Sequence, residues 1–156
     1  MDCVLRELRD DDVPVLFEYW ADLEAAHMAA FMPPDYTDRD AFERRWARLR
    51  ADATVTTRVI EVDGEVAGTV SSWGSADDRE VTYGVGRAFW GKGVATRALE
   101  AFLSVDPTRP MHAHVAADNG ASLRVLEKCG FRVVGTGRGF AETRGAEIEE
   151  LGLILD

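Results

Sequence analysis

The feature that most limits the fold lies between residues 79 and 104, where the hydrophobic period changes across a glycine-rich break. In "REVTYGV", Val81, Tyr83 and Val85 fall on one face of a strand, and Glu80, Thr82 and Gly84 on the other. "GRAFWGKG" then interrupts the pattern with Gly86, Gly91 and Gly93. Helical spacing follows from about Val94 to Ser104. A strand that leads through glycines into a helix needs a sheet for that helix to cover. The helix start has unpaired N–H donors and a partial positive charge, so such a junction usually holds a phosphate.

The other segments fit a layered arrangement. "CVLRELR" reads as a short first strand. Asp10 to Asp12 offer N-caps for a helix through "VPVLFEYWADLEAA", with Pro14 tolerable in its first turn. "HMAAFMPPDY" reads as an apolar, proline-broken loop. Phe42, Trp46 and Leu49 then return to helical spacing, with Thr37 or Asp38 as cap. "TTRVIEV" and "EVAGTVSSW" flank Asp63-Gly64, a hairpin signal. "PMHAHV" reads as a strand. Asn119 opens a helix that stops at Cys129-Gly130, and "FRVVGTGR" and "EIEELGLIL" close the chain as strands. The expectation is an α/β (α+β) fold in the order βααβββαβαββ. Its sheet is mixed, mostly antiparallel and twisted, with about seven strands and helices on both faces.

Composition narrows the function. With 156 residues, a single domain over 1–156 can bury a core without disulfides. The net charge of −10 argues against a nucleic-acid partner, which needs a basic face. Cys3 and Cys129 form neither a disulfide framework nor a zinc signature, and read as reduced thiols of a cytoplasmic protein. "MDCVLRELRDDD" lacks the basic and apolar runs of a signal peptide, and no apolar run reaches a membrane span.

Three phosphate loops compete for residues 86–96. A P-loop, GxxxxGK[ST], is satisfied by Gly86, Gly91 and Lys92, but Gly93 replaces the hydroxyl that would hold Mg²⁺. The dinucleotide fingerprint fits Gly91 and Gly93 but meets Thr96 at its third small position. The third fits better. "EVTYGVGRAFWGKGVATRAL" resembles the acetyl-CoA-binding motif of the GNAT superfamily of N-acyltransferases, most closely its ribosomal-protein-alanine (Rim-type) branch. Trp90 stands where the general motif has Gln or Arg, a departure common in that branch. "DNGASLRVLEKCGFRVVG" resembles the family's second block through Asn119, Ser122, Glu127, Lys128, Gly130 and Phe131. The likeness is good from Val59 to Asp156 and only outlined before it.

The resemblance implies an acyl-CoA N-acyltransferase fold and an acetyl-CoA-dependent N-acetyltransferase. The acetyl group would pass directly to a primary amine, a protein N-terminus or small amine, in a ternary complex. It implies acetyl-CoA as co-substrate, no metal, and cofactor contacts from Val85, Trp90, Gly91, Lys92, Gly93, Val94, Ala95, Thr96, Asn119 and Ser122. Glu80 matches the family's glutamate before the loop and is the expected base, acting directly or through a water; a solvated strand charge is the competing reading. Many relatives protonate the leaving thiolate with a tyrosine beyond the second block. Here only Tyr19, Tyr36 and Tyr83 exist, so Ser122 takes that expected place. Asn119 and Ser122 equally suit an ordinary helix start. Cys129 reads as core. The strands ending at Val85 and Val115 are expected to splay apart.

The acceptor side is less defined. Trp20, Phe31, Tyr36 and Trp73, with His27 and Met32, are pocket candidates that also suit the core. His112 and His114 share a strand face without a third ligand, so they read as sheet or pocket residues rather than a metal site. The expected partners are a small-molecule acyl-CoA donor and an amine acceptor, with no nucleic acid and no membrane; the family also admits a homodimer. The alternative is a non-catalytic acyl-CoA-binding sensor or interaction module on the same fold.

Overall fold

The Asp63–Gly64 turn starts the sheet. Both residues have positive φ, 49° and 85°, which matches the right-handed twist of the strands they join. Strands β2 (Thr56–Val62) and β3 (Glu65–Trp73) pair across this turn, and β1 (Cys3–Arg6) lies antiparallel to β2. Strand β4 (Arg79–Val85) returns along β3. A single 3₁₀ turn, Arg87–Phe89, and the glycine loop lead into helix α4 (Val94–Val105). Strand β5 (Met111–Ala116) follows, then α5 (Gly120–Lys128), β6 (Arg132–Ala141) and β7 (Ala146–Leu155). This computed structural model describes residues 1–156.

The seven strands form one sheet in the order β1-β2-β3-β4-β5-β7-β6. Among neighbouring strands only β4 and β5 pair in parallel, joined by the α4 crossover. The main core lies on the side of α4 and α5, where Leu99, Phe102 and Leu126 meet Val70, Val81, Met111 and Ala113. The first helices cover the other side.

Two local expectations are corrected. The helix read through residues 13–26 is two helices, α1 (Asp12–Ala21) and α2 (Leu23–Ala29). Asp22 breaks them with ψ 124°, and its side chain then caps α2 by accepting from Ala25 N–H at 3.0 Å. Asp11, at the N-cap of α1, makes no side-chain cap bond. Asp12 instead accepts from both terminal nitrogens of Arg6 at 2.8 Å and from the Arg9 N–H. The bidentate pair with Arg6, six residues back, outcompetes the local cap. Helix α3 (Arg39–Ala51) is capped by Asp38, as its sequence allows.

The start of β4 is anchored by a buried network. Arg79 Nε donates to Asp106 Oδ2 at 2.9 Å, and the Ser72 hydroxyl donates to the same oxygen. Burial opposes the charge on Asp106, but bonds from Ser72, Thr108 and Arg79 hold its carboxyl well below the usual carboxylate range. The network ties the end of α4 to the strand that carries Glu80.

Candidate active site

The parallel ladder between β4 and β5 is short. It joins Arg79 to Met111 and Glu80 to His112, and then stops. β5 continues on β7 alone, through Val115 and Ala116, so the expected splay is present. Gly86 N–H donates to Ala67 O at 2.7 Å. By antiparallel alternation, the backbone groups of Gly84 and Gly86 face β3, whereas those of Tyr83 and Val85 face the gap. Trp90 folds back over this edge, and its indole Nε1–H donates to Val85 O at 2.8 Å. The carbonyl is thereby occupied, and Val85 N–H is left on the open side.

The glycine loop sits at the wide end of the gap. Gly91 and Gly93 have φ of 73° and 77°, a region costly to residues with a Cβ. A Cβ built on either would meet nothing within 4 Å, so the requirement is backbone conformation and open space, not packing. Gly93 is the N-cap of α4, whose first turn has no acidic residue to repel an anion. Lys92 is exposed beside it. Val94 points into the core and leaves the site only its backbone; Ala95 and Thr96 are half-buried. The Thr96 carbonyl receives the Cys129 thiol at 3.7 Å. Burial and then the charge of Glu100 push that thiol up to about 11. Cys129 is a packing residue.

Across the gap, α5 presents Ser122. Asn119 Oδ1 accepts from Ser122 N–H at 3.2 Å, the expected cap, while Asn119 Nδ2 donates to Met28 O. The Ser122 hydroxyl is 2.7 Å from the Tyr83 hydroxyl, which also lies 3.1 Å from Ser122 O. Burial, only partly offset by the Ser122 bond, pushes the Tyr83 phenol up to about 12. Tyr83 is therefore a neutral partner that orients Ser122. The sequence placed Tyr83 on one face of β4 with Val81 and Val85, but nothing in its spacing brought it to Ser122, 39 residues away.

Glu80 lies on the opposite face of the sheet from Tyr83, beside Trp73 of β3 and His112 of β5. His114 Nδ1 is 2.9 Å from Glu80 Oε1. Read from sequence as a sheet or pocket residue, His114 is thus paired with the expected base. No group of three or more His, Cys, Asp or Glu stands where it would hold a metal ion.

The four acceptor-side residues separate. Trp73 adjoins Glu80. Phe31 packs on Ala30, Ala116 and Ala141 and against Gly139. Trp20 and Tyr36 line a small cleft with Phe42 and Arg45, and no residue of β4 or β5 lines it. Arg45 lies 5.4 Å over the Trp20 ring.

A family model described as an acetyltransferase (GNAT) domain matches residues 2–132. The chain belongs to the GNAT acetyltransferase family. An N-acetyltransferase of Bacillus licheniformis named p20, itself uncharacterised, is 28% identical over 93% of this chain and 87% of its own length. Two solved structures share the fold of this GNAT acetyltransferase. The ribosomal-protein-alanine N-acetyltransferase of Brucella melitensis aligns with a TM-score of 0.83 at 20% identity, over 97% of this chain and 98% of that one. The spermidine N-acetyltransferase of Vibrio cholerae, solved with CoA and spermine, aligns with a TM-score of 0.85 at 19% identity, over 98% and 94%. The shared fold thus extends over the whole sheet of this GNAT acetyltransferase. None of its helices is long and apolar enough to cross a membrane.

Proposed function

We propose that this GNAT acetyltransferase moves the acetyl group of acetyl-CoA directly onto a primary amine in a ternary complex, with residues 1–156 working as one domain. The observation that carries this reading is the gap itself. One strand pair ends at Glu80 and His112, with an anion-ready loop at its wide end and a carboxylate at its narrow end. The open, positive-φ glycines and the acid-free helix start fit a pyrophosphate without a metal.

Acetyl-CoA supplies the acyl group as a thioester. The N–H groups of the Gly91–Thr96 turn, with Lys92, bind the pyrophosphate. Val85 N–H orients the pantetheine arm along β4, with its carbonyl held by Trp90. Asn119 fixes the start of α5, and Ser122, turned by Tyr83, faces the leaving sulfur as hydrogen-bond donor. Glu80 provides the basic function toward the amine. Trp73 borders the acceptor, with Phe31 at the β5 end of that face. The acceptor is a protein N-terminus or a small amine.

Calorimetry with acetyl-CoA, without metal and beside a control of ATP with Mg²⁺, tests the donor. Release of free thiol over a panel of N-terminal peptides, polyamines and small amines then tests the acceptor. Micromolar acetyl-CoA binding with thiol release is expected. Binding with no release across the panel favours a non-catalytic acyl-CoA sensor, and absence of binding removes the proposal.

A further inference from the structure

Residue 30 has a backbone that alanine rarely adopts. Ala30 has φ 65° and ψ −56°, and Phe31 N–H donates to Ala29 O at 2.7 Å. This is the γ-turn of positive φ, strained for any residue with a Cβ. Such strain persists only where the surroundings over-determine it. Three later segments do so. Thr143, in the turn between β6 and β7, directs its hydroxyl at Ala26 O and Ala30 O, at 2.9 Å and 3.3 Å, and its N–H donates to Ala30 O. Arg144 Nε donates to His27 O at 2.7 Å while its guanidinium pairs with Asp118. Asn119 Nδ2 donates to Met28 O. Ala30 itself is fully buried against Ala116 and Ala141.

The turn reverses the chain at the end of α2 and delivers Phe31 onto β6. A Cβ on Gly139 would meet the Phe31 ring at 3.2 Å, so glycine there lets the ring lie close on the sheet. The ring bounds a particular strip. His112, His114 and Ala116 follow one another on one face of β5. His112 is the ladder partner of Glu80, and His114 contacts the Glu80 carboxylate. Ala116, about 13 Å along the strand from His112, lies in the cluster with Ala30 and Phe31. The strip is exposed at His114 and buried at Ala116.

We propose that Ala30, Thr143 and Arg144 are positioning residues for the amine acceptor. Together they hold Phe31 across the sheet face that carries Glu80, and Phe31 sets how large an amine substituent fits between that carboxylate and the end of α2. The proposal rests on the acetyl-transfer reading above, in which the amine stands at Glu80. Ala30 aims Phe31 through the γ-turn, and Thr143 and Arg144 keep the turn from relaxing. A held wall discriminates by size, because a substituent slightly too large must displace packed atoms. A segment free to relax would yield instead, which gives the strain at Ala30 a use. None of the three residues belongs to β4, the glycine loop or α4, so the donor side is left alone.

Two measurements test the proposal. In the ligand-free protein, nuclear magnetic resonance couplings that report φ are expected to give residue 30 a positive value. A negative value removes the strained turn, and the proposal, without reference to any substrate. The second measurement is thiol release with primary amines of increasing substituent size. Phe31→Ala is expected to change the kcat/KM ratio of large to small amines by about tenfold or more, in favour of the large. Thr143→Val keeps the backbone N–H and the branched shape but loses the hydroxyl. It is expected to move the ratio in the same direction with the acetyl-CoA Kd unchanged, and Thr143→Ser to restore it. A hydroxyl with a purely structural role would lower the urea midpoint of Thr143→Val and leave the ratio alone. That result, or an unchanged ratio in Phe31→Ala, overturns the proposal while acetyl transfer stands. If the wild type binds no acetyl-CoA, or binds it without thiol release, the acetyl-transfer reading fails and this proposal with it.

Discussion

Gly93 carries the most demanding backbone in the site. It has φ of 77° at the N-cap of α4, and its surroundings are empty. Gly93→Ala is expected to cost about 1–2 kcal/mol from the left-handed conformation alone, read from urea denaturation. It is also expected to weaken acetyl-CoA binding, because the new methyl group enters the open space that the proposed function gives to the pyrophosphate. Unchanged affinity in calorimetry would place the pyrophosphate elsewhere. Cys129 makes the opposite kind of prediction. Burial has pushed its thiol up to about 11, so almost no thiolate exists at neutral pH. In a Cys3→Ser background, a thiol reagent is expected to label Cys129 slowly in the native protein and rapidly in denaturant. Fast native labelling would reopen an acyl-cysteine route.

At the scale of elements, the Arg79–Asp106–Ser72 network decides where β4 begins relative to α4, and so where Glu80 stands. The Arg79 and Asp106 side chains are 10% and 7% exposed, and Arg79 also donates to Thr54 O and Gly74 O. Asp106→Asn leaves a buried guanidinium uncompensated, with an expected loss of about 3–5 kcal/mol. The pH dependence has a definite sign. The folded Asp106 has a lowered pKa, so below the ordinary carboxylate range the unfolded chain binds more protons than the folded one. Its contribution is complete above that range and declines as the pH falls toward the folded value. Urea midpoints at neutral pH and near pH 3, within that window, are expected to converge between wild type and Asp106→Asn. A constant difference would mean that the carboxylate charge is not what stabilises the contact.

At the scale of the whole molecule, the site needs two sheet faces and the gap between them, so ligand binding is coupled to global stability. At 100 times Kd, acetyl-CoA is expected to add about 2.7 kcal/mol and to raise the thermal midpoint by several degrees, with no effect from ATP and Mg²⁺. A scan with and without ligand measures it; equal shifts from both nucleotides would revive the P-loop. Much of this architecture was legible in the chain. Alternation in β4, the glycines at 86, 91 and 93, the Asp63–Gly64 turn and the Asn119 cap are local signals, because turn conformations and strand periods depend on neighbouring residues. They sufficed for the order of the strands, the strand–loop–helix junction and the place of Glu80, but not for the break at Asp22 that makes two helices of one. The rest depends on contacts distant in sequence. Arg6 also reaches Glu61 of β2, 55 residues away. The last carbonyls of α2 are taken by Thr143, Arg144 and Asn119, which fix where that helix ends. Tyr83 finds Ser122, and His114 finds Glu80, only because the sheet order β4-β5-β7 puts their strands and helices side by side. Periodicity states which face a side chain occupies, whereas the partner on that face is set by packing of the assembled sheet. The sequence by itself therefore determined the frame of strands and the glycine loop before α4. Only the tertiary structure decided which hydroxyl stands beside Tyr83 and which imidazole beside Glu80, because those contacts join segments far apart in the chain.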